Sequence, residues 1–439
     1  MSGQLEPLPG TSDIWEPEVS QWVQLERAAR EVFARYGYGE VRTPVFERTE
    51  VFVRGIGDQT EVVQKEMYTF ADRGGRSLTL RPEGTAGVMR ALANQGLGDG
   101  VERRVFYMGP MFRGERPAAG RRRQFHQIGV EAVGRSSPLM DAECLAMLVE
   151  FLRAAGIPGH RLLLNTRGTA EDRPRVTAAM RAALEPRRDE LCEDCRRRLA
   201  ENVWRILDCK VPSCQPVIAT APPIPELLGE ASQAFFRRVC EALDSLSVAY
   251  VREPRLVRGL DYYEHTVFEV TCEVASLGAQ TAIAGGGRYR VALPGGGDAV
   301  AGVGFAAGVE RLLLARGWGE QPAAALGPVE VYVAGLGPAG LMAGMRLAAV
   351  LRQAGYRVLA EVEERSLKAQ MRTANRIGAK MVLIQGESEL AAGAVLGKNM
   401  SDSSQELVAL DAVPAWLAAR VGPRAPAAGA GLPAAGSPV

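Results

Sequence analysis

The chain has 439 residues, 47% hydrophobic and 23% charged, enough apolar surface for two or three cores, which excludes a disordered polypeptide. Its 52 basic residues nearly cancel its 51 acidic ones, a formal net of +1, so bulk charge steers it onto neither nucleic acid nor a membrane, and any polyanion site must be local. Only five of the basic residues are Lys; the Arg excess reads first as a bias of the genome and second as phosphate recognition.

Residues 17–36 carry Val19, Trp22, Val23, Leu25, Ala29, Val32 and Phe33 at helical spacing and close at Gly37, before a strand-like Glu40 to Glu47. SLTLRPEGTAGVMR reads as an apolar strand, a charged and hydroxyl-bearing turn from Arg81 to Thr85, and a helix. That turn presents Glu83 and Thr85 at a strand end, where ligands commonly sit. VFYMGPMFRGERPAAGRRRQFHQIGVEAVG reads as two strands joined by a basic loop. On the second strand His126, Ile128, Val130 and Ala132 share a mostly apolar side, while Arg123, Phe125, Gln127 and Glu131 share the other. A hairpin closing across 116–122 brings Arg113 and Glu115 beside Phe125 and Gln127. A guanidinium fork and a phenyl ring on one face suit a nucleotide; a face left in water is equally ordinary for an antiparallel sheet.

Residues 168–248, rich in Arg, Glu and Ala and punctuated by Pro212, Pro216, Pro222, Pro223 and Pro225, read as a helical insertion. Strand patterns return at Arg255, with Arg258, Asp261, Tyr262 and Tyr263 just ahead of a β-branched and aromatic run. AGGGRY is followed by AVAGVGFAAGVERLLL, in which Gly302 and Gly304 lighten a strand so that a ligand can approach the backbone, and Arg311 falls early in a helix. From Val329 onward, strand VEVYVAG, a helix over about 339–354, strand YRVLAEV, a helix from Leu367 and strand KMVLIQG predict a small α/β domain with parallel strands. Beyond about Val421 the Ala, Pro and Gly predict a disordered tail.

The ordered set RPEGTA, FRGERPAAGRRRQFHQ, LVRGLDYYEHTVFE, GGGRY and GVGFAAGVER resembles the histidyl-tRNA synthetases, a family of class II aminoacyl-tRNA synthetases, from about Leu5 to Val413. The resemblance implies an α+β catalytic domain with an antiparallel sheet over 1–325, interrupted by the helical insertion at 168–248. An α/β anticodon-binding domain over 327–420 and the tail at 421–439 would follow. It implies an enzyme that ligates L-histidine to tRNA-His through a histidyl-adenylate formed from ATP, with Mg2+ accompanying the nucleotide. The attacking carboxylate is already a nucleophile, so catalysis would rest on positioning and charge neutralisation.

By the same resemblance Arg113, Arg258 and Arg311 are the catalytic cations. Arg113, Glu115, Arg121, Phe125 and Arg311 would bind ATP. Glu83, Thr85, Gln127, Glu131, Tyr262, Tyr263 and Tyr289 would bind histidine. Arg116 and the stripe of Lys368, Arg372 and Arg376 would meet tRNA. The helix at 17–36 and the strand around Pro44 match the region through which the family forms homodimers. The chain departs from the family at Ala118, usually Gln, and at Arg290, usually Asp. The rival reading is a silent histidine-binding relative, the regulatory subunit of ATP phosphoribosyltransferase. Such proteins tend to lack the C-terminal domain and to degrade the arginine motifs that this chain keeps.

Two patterns lie outside that set. Gly335, Gly337 and Gly340 form G-x-G-x-x-G, with Glu361 at the distance of a dinucleotide fingerprint. No second half of such a fold follows, Pro338 stiffens the turn, and the module resembles an anticodon-binding domain instead. Cys192, Cys195, Cys209 and Cys214 give C-x2-C-x13-C-x4-C, near the spacing of a four-thiolate zinc site; the family's chemistry requires no metal there, so the expected reading is reduced, partly buried thiols with no metal ligand, with a structural zinc as the alternative. His126, His160 and His265 lack any metal-ligand spacing and read as structural. Seven Cys, no charged-then-apolar start and no window of membrane-spanning length lead to the expectation of a soluble, cytoplasmic protein.

Overall fold

In the computed structural model, which describes residues 5–57, 60, 62–96, 102–118, 120–258, 262–278, 281–292, 299–317 and 329–424, the chain divides into two units, Met1–Ala323 and Ala324–Val439. The first contains strands β1 (Gly39–Glu40), β2 (Phe46–Arg48), β3 (Thr69–Ala71), β4 (Ser77–Leu80), β5 (Arg103–Phe112), β6 (Gln124–Val133), β7 (His160–Thr166), β8 (Val251–Arg252), β9 (Tyr263–Cys272), β10 (Ala282–Ala292) and β11 (Ala299–Gly308). Eight of them form one sheet in the order β1-β5-β6-β11-β10-β9-β7-β8. Its five central pairings are antiparallel and only the outermost pair at each edge is parallel.

Strand alternation sorts the two faces of this sheet. Ile128, Val130 and Ala132 of β6 are buried against Phe33 of α1 (Glu18–Arg35) in the main core. On the opposite face Tyr107, Val133, Tyr263 and Tyr289 meet Val88 and Met89. The predicted helix at 17–36 forms as α1; α2 (Thr49–Ile56) and α3 (Thr85–Asn94) follow, and α4 (Pro138–Ala154) is capped by the Ser137 hydroxyl.

The expected single strand from Glu40 to Glu47 is instead two short ones in different sheets. Val41 still bonds the carbonyl of Phe106, but Pro44 has no N–H to continue a ladder, and the chain crosses to the three-stranded sheet β2-β4-β3.

Within 168–248 lie α5 (Arg173–Leu184), α6 (Glu193–Glu201), α7 (Gln215–Ile218) and α8 (Glu230–Ser245), joined by 3-10 turns. Val176, Met180, Leu199, Trp204, Ile206 and Val217 give this segment a core of its own. The expected insertion is nevertheless too long. Phe236, Val239, Cys240 and Leu243 of α8 recur at helical spacing and bury into the main core beside α4, so α8 is part of the sheet's support. Helix α9 (Val309–Ala315) follows β11 directly.

The second unit has strands β12 (Val331–Gly335), β13 (Val358–Ala360), β14 (Met381–Gln385), β15 (Ala394–Asn399) and β16 (Gln405–Ala409) in the order β13-β12-β14-β15-β16. The expectation of parallel strands holds for the first three only; β14, β15 and β16 run antiparallel. Strands β12 and β14 are buried along their whole length, as continuous apolar runs between two helical layers must be. Its helices are α10 (Gly337–Gln353), α11 (Leu367–Arg376), α12 (Glu387–Ala391) and α13 (Val413–Val421). Residues 421–424, expected in the tail, are tied down: Val421 closes α13 and Arg424 pairs with the buried carboxylate of Glu330. The rest of that expected tail, 425–439, and the expected boundary at 325–327 lie outside the described residues. Among the described residues no helix is long and apolar enough to cross a membrane.

Candidate active site

The β5/β6 hairpin carries the first group of side chains. Its ladder runs to Phe112 opposite Gln124, and the turn closes through an Ala118–Arg121 bridge. Just past the ladder, the Arg113 guanidinium lies 5.3 Å from the centroid of the Phe125 ring and donates to the Pro82 carbonyl at 3.0 Å. Arg121 meets Glu115 at 2.7 Å. Arg311, in the first turn of α9, donates to the carbonyl of Gly120 in the hairpin turn at 3.4 Å, and burial holds its pKa below the ordinary value. Arg113, Glu115, Arg121, Phe125, Arg258 and Arg311 thereby line one cavity of about 230 Å³.

A second cavity, of about 170 Å³, is lined by Glu83, Thr85, Gln127, Glu131, Tyr262, Tyr263 and Tyr289. Glu131 is 1% exposed; the Thr85 hydroxyl donates to one of its oxygens at 2.6 Å and the Tyr289 hydroxyl to the other at 2.7 Å. Burial outweighs both hydrogen bonds and pushes its pKa up to about 8. Glu83 accepts the backbone N–H groups of Thr85 and Ala86, each at 2.8 Å, and burial raises its pKa as well. The Gln127 amide oxygen is buried with no hydrogen-bond partner among the described residues, as suits a group that meets a polar ligand.

Two glycines make the room. A Cβ at Gly304 would stand 2.2 Å from a Glu131 oxygen, and one at Gly285 would stand 2.6 Å from the Arg258 guanidinium. The cavities join: Arg113, Gln127, Arg258, Gly285 and Ala306 line both. At that junction Arg258 is held by Glu269 at 2.6 Å. Two guanidiniums thus flank the passage between an aromatic, cation-rich chamber and one walled by carboxylates and phenols. An anionic group passing from one ligand to another between them would be neutralised by preorganised charge.

All seven residues expected at histidine line the smaller cavity, and all five expected at ATP line the larger. Asp261 lies outside the described residues. Sequence reasoning missed Tyr107, Glu269 and Glu310. The Tyr107 ring occupies the space that a Cβ on Gly84 or Gly129 would need, and its pairing opposite Gly129 was the available signal. Glu310 accepts the His126 backbone N–H at 2.9 Å and contacts its Nδ1 at 3.0 Å, fixing the wall of the larger cavity. His265 stacks on Phe235 at 4.1 Å and His160 contacts the Ile157 carbonyl. Arg290 meets Glu264 at 3.5 Å and lines neither cavity.

Arg116 is exposed in the hairpin loop, as is Ala118. In the second unit Lys368, Arg372 and Arg376 are exposed along α11 and edge a shallow hollow with Met371 and Asn375. The glycine pattern there serves close approach of α10 to the sheet. A Cβ at Gly340 would meet the Gln385 carbonyl at 2.4 Å, and one at Gly335 the Leu341 backbone at 2.6 Å. Gln370 donates to the Gly335 carbonyl at 2.8 Å, and Glu361 accepts the Tyr332 hydroxyl at 2.8 Å.

Comparison with known proteins follows this division. Residues 10–312 match a family described as histidyl-tRNA synthetase, and residues 330–420 match one described as an anticodon binding domain. A histidine–tRNA ligase of Moorella thermoacetica is 47% identical, over 92% of this chain and 96% of its own length. A histidine–tRNA ligase of Solidesulfovibrio magneticus is also 47% identical, over 95% of this chain and 98% of its own. Among solved structures, an apo histidyl-tRNA synthetase of S. aureus superimposes with a TM-score of 0.77 at 34% identity, covering 94% of this chain and all of that one.

Proposed function

Because the chain belongs to the histidyl-tRNA synthetase family, we propose that it ligates L-histidine to tRNA-His in two steps. In the first, a carboxylate oxygen of histidine bonds to the α-phosphorus of ATP while the bond to the departing pyrophosphate breaks. In the second, a hydroxyl of the 3′-terminal ribose bonds to the histidyl carbonyl carbon and gives up its proton, and AMP leaves. The observation that carries this reading is the junction, where Arg113 and Arg258 line both chambers. There the carboxylate of one ligand and the α-phosphate of the other would meet between two fixed positive charges.

Phe125 would stack on adenine, with Arg311 on the other side of the nucleotide and the Glu115–Arg121 pair at its phosphates. Glu83 and Thr85 would take the ammonium of histidine, Gln127 the carboxylate end, and Glu131, Tyr262, Tyr263 and Tyr289 the imidazole. A pocket built on those buried polar groups leaves them unpaired with an apolar amino acid and so rejects it. Mg2+ would arrive with the triphosphate: Glu115 and Glu310, the carboxylates at the larger cavity, are already engaged by Arg121 and His126, so phosphate oxygens and water would hold the ion. Arg116 would reach the acceptor end of the tRNA through the loop that carries Ala118, and the α11 stripe its anticodon arm. A cytoplasmic homodimer completes the reading.

Histidine-dependent exchange of pyrophosphate into ATP, repeated with each other amino acid, is the test. Exchange with histidine alone is expected. Histidine binding without exchange would instead favour the regulatory, non-catalytic relative.

A further inference from the structure

Away from both cavities, four thiols from three separate segments meet. Cys192 caps the N-terminus of α6, Cys195 lies in its first turn, Cys209 follows the 203–206 turn and Cys214 ends the 212–214 turn. Their sulfurs all lie within 4.8 Å of one another, and those of Cys192 and Cys209 are 4.0 Å apart. A tetrahedral ion with metal–sulfur bonds of about 2.3 Å would set its sulfurs roughly 3.8 Å apart, so a contraction of less than the width of an atom closes the shell. Two of the sulfurs already accept backbone hydrogen bonds of the kind that metal-bound thiolates take. The Cys192 N–H donates to the Cys214 sulfur at 3.2 Å and the Val211 N–H to the Cys209 sulfur at 3.4 Å, while α6 directs the positive end of its dipole at the cluster.

The other three cysteines show what packing alone looks like. Cys144, Cys240 and Cys272 are buried among aliphatic side chains of the main core, and Cys240 lies in α8, remote in sequence from any other thiol. All seven are free. Reduced thiols used merely as small hydrophobes have no reason to converge four at a time from three turns.

We propose that Cys192, Cys195, Cys209 and Cys214 bind one structural Zn2+ as four thiolates, the alternative that the sequence reading ranked below reduced thiols without a metal. The donor set is all sulfur, so it selects a soft or borderline ion, and four protein ligands leave no open position for chemistry. Each thiol gives its proton to solvent as the ion binds. The ion clamps the turns around α6. Val257 belongs to the same apolar core as Cys195, Cys209 and Cys214, so the clamp also braces the segment that ends in Arg258.

Full-length protein purified under reductant without chelator is expected to carry about one zinc per chain by plasma mass spectrometry. Titration with a mercurial should release that zinc. Cys192→Ser should lose the metal and Cys240→Ser should keep it. Should the serine variant fail to fold, Co2+ added to reduced, metal-stripped wild type decides: thiolate-to-cobalt charge-transfer and tetrahedral ligand-field bands are expected. Metal-free protein that takes up neither zinc nor cobalt would overturn the assignment. So would zinc content unchanged in both Cys192→Ser and Cys209→Ser, or disulfides among the four in protein alkylated at lysis.

Discussion

The smaller cavity and the α11 stripe both rely on ionisable groups, yet one is wrapped in protein and the other in water. Glu131 is 1% exposed and shares its oxygens with Thr85 and Tyr289, whereas Lys368, Arg372 and Arg376 are all exposed along one helix face. A buried polar group has already been stripped of water and depends on its few fixed partners, so displacing it by an ångström is costly. An exposed charge is screened within about 8–10 Å at physiological salt. The two regions therefore predict effects of different size and different salt dependence. The junction arginines, partly exposed but fixed, belong with the first.

The largest effect is expected there. Arg258→Ala and Arg113→Ala should each lower the rate constant of pyrophosphate exchange by roughly 10²-fold or more, the scale of a lost charge stabiliser, while histidine affinity measured by calorimetry changes far less. Equal losses in both quantities would mean that these arginines build the pocket rather than act at phosphorus.

Glu131 should come next, and its pKa gives the sign. Burial raises the folded value to about 8, above the ordinary carboxyl range, so between the two values the folded protein holds a proton that the unfolded chain has lost. Glu131 therefore favours folding at low pH, and that contribution is lost as pH rises through about 8. Glu131→Gln keeps one acceptor oxygen and puts an amide donor at the other site, which a hydroxyl oxygen of Thr85 or Tyr289 can accept; it should raise the melting temperature relative to wild type at pH 9, with the gap closing toward pH 5. The same substitution should raise the KM for histidine by an order of magnitude or more. A variant equally stable at both pH values, with an unchanged KM, would remove the carboxylate from the pocket.

The unequal legibility of these regions has a physical cause. Phe125, Gln127 and Glu131 sit on one strand, so alternation alone set them on one face, and the hairpin turn brought Arg113 beside them. Glu83, Arg258, Tyr289 and Arg311 reach the same place through pairings remote in sequence, such as Tyr289 opposite Gly302, which no local spacing encodes; the family resemblance supplied them. Composition also mistook α8 for part of the insertion, because an amphipathic stripe does not say which core it faces. Glu269 and Glu310 passed unnoticed because their role is to hold other site elements, Arg258 and the β6 backbone at His126.

The smallest effect is expected at the stripe, and it is the one that separates the two regimes. Replacing Lys368, Arg372 and Arg376 together by Ala removes three exposed positive charges and disturbs no buried contact of α11, whose inward residues are Gln370 and Ala374. If these side chains approach phosphates, tRNA affinity should fall several-fold at low salt, and the slope of log affinity against log salt should become shallower by about two to three, since each lost phosphate contact releases fewer counterions. Histidine-dependent pyrophosphate exchange, which involves no tRNA, should stay at the wild-type rate at every salt concentration. An unchanged slope would leave the stripe as a solvated helix face. A change in exchange would mean instead that charge on the second unit is felt at the junction, and the contrast between buried and exposed groups would have to be redrawn.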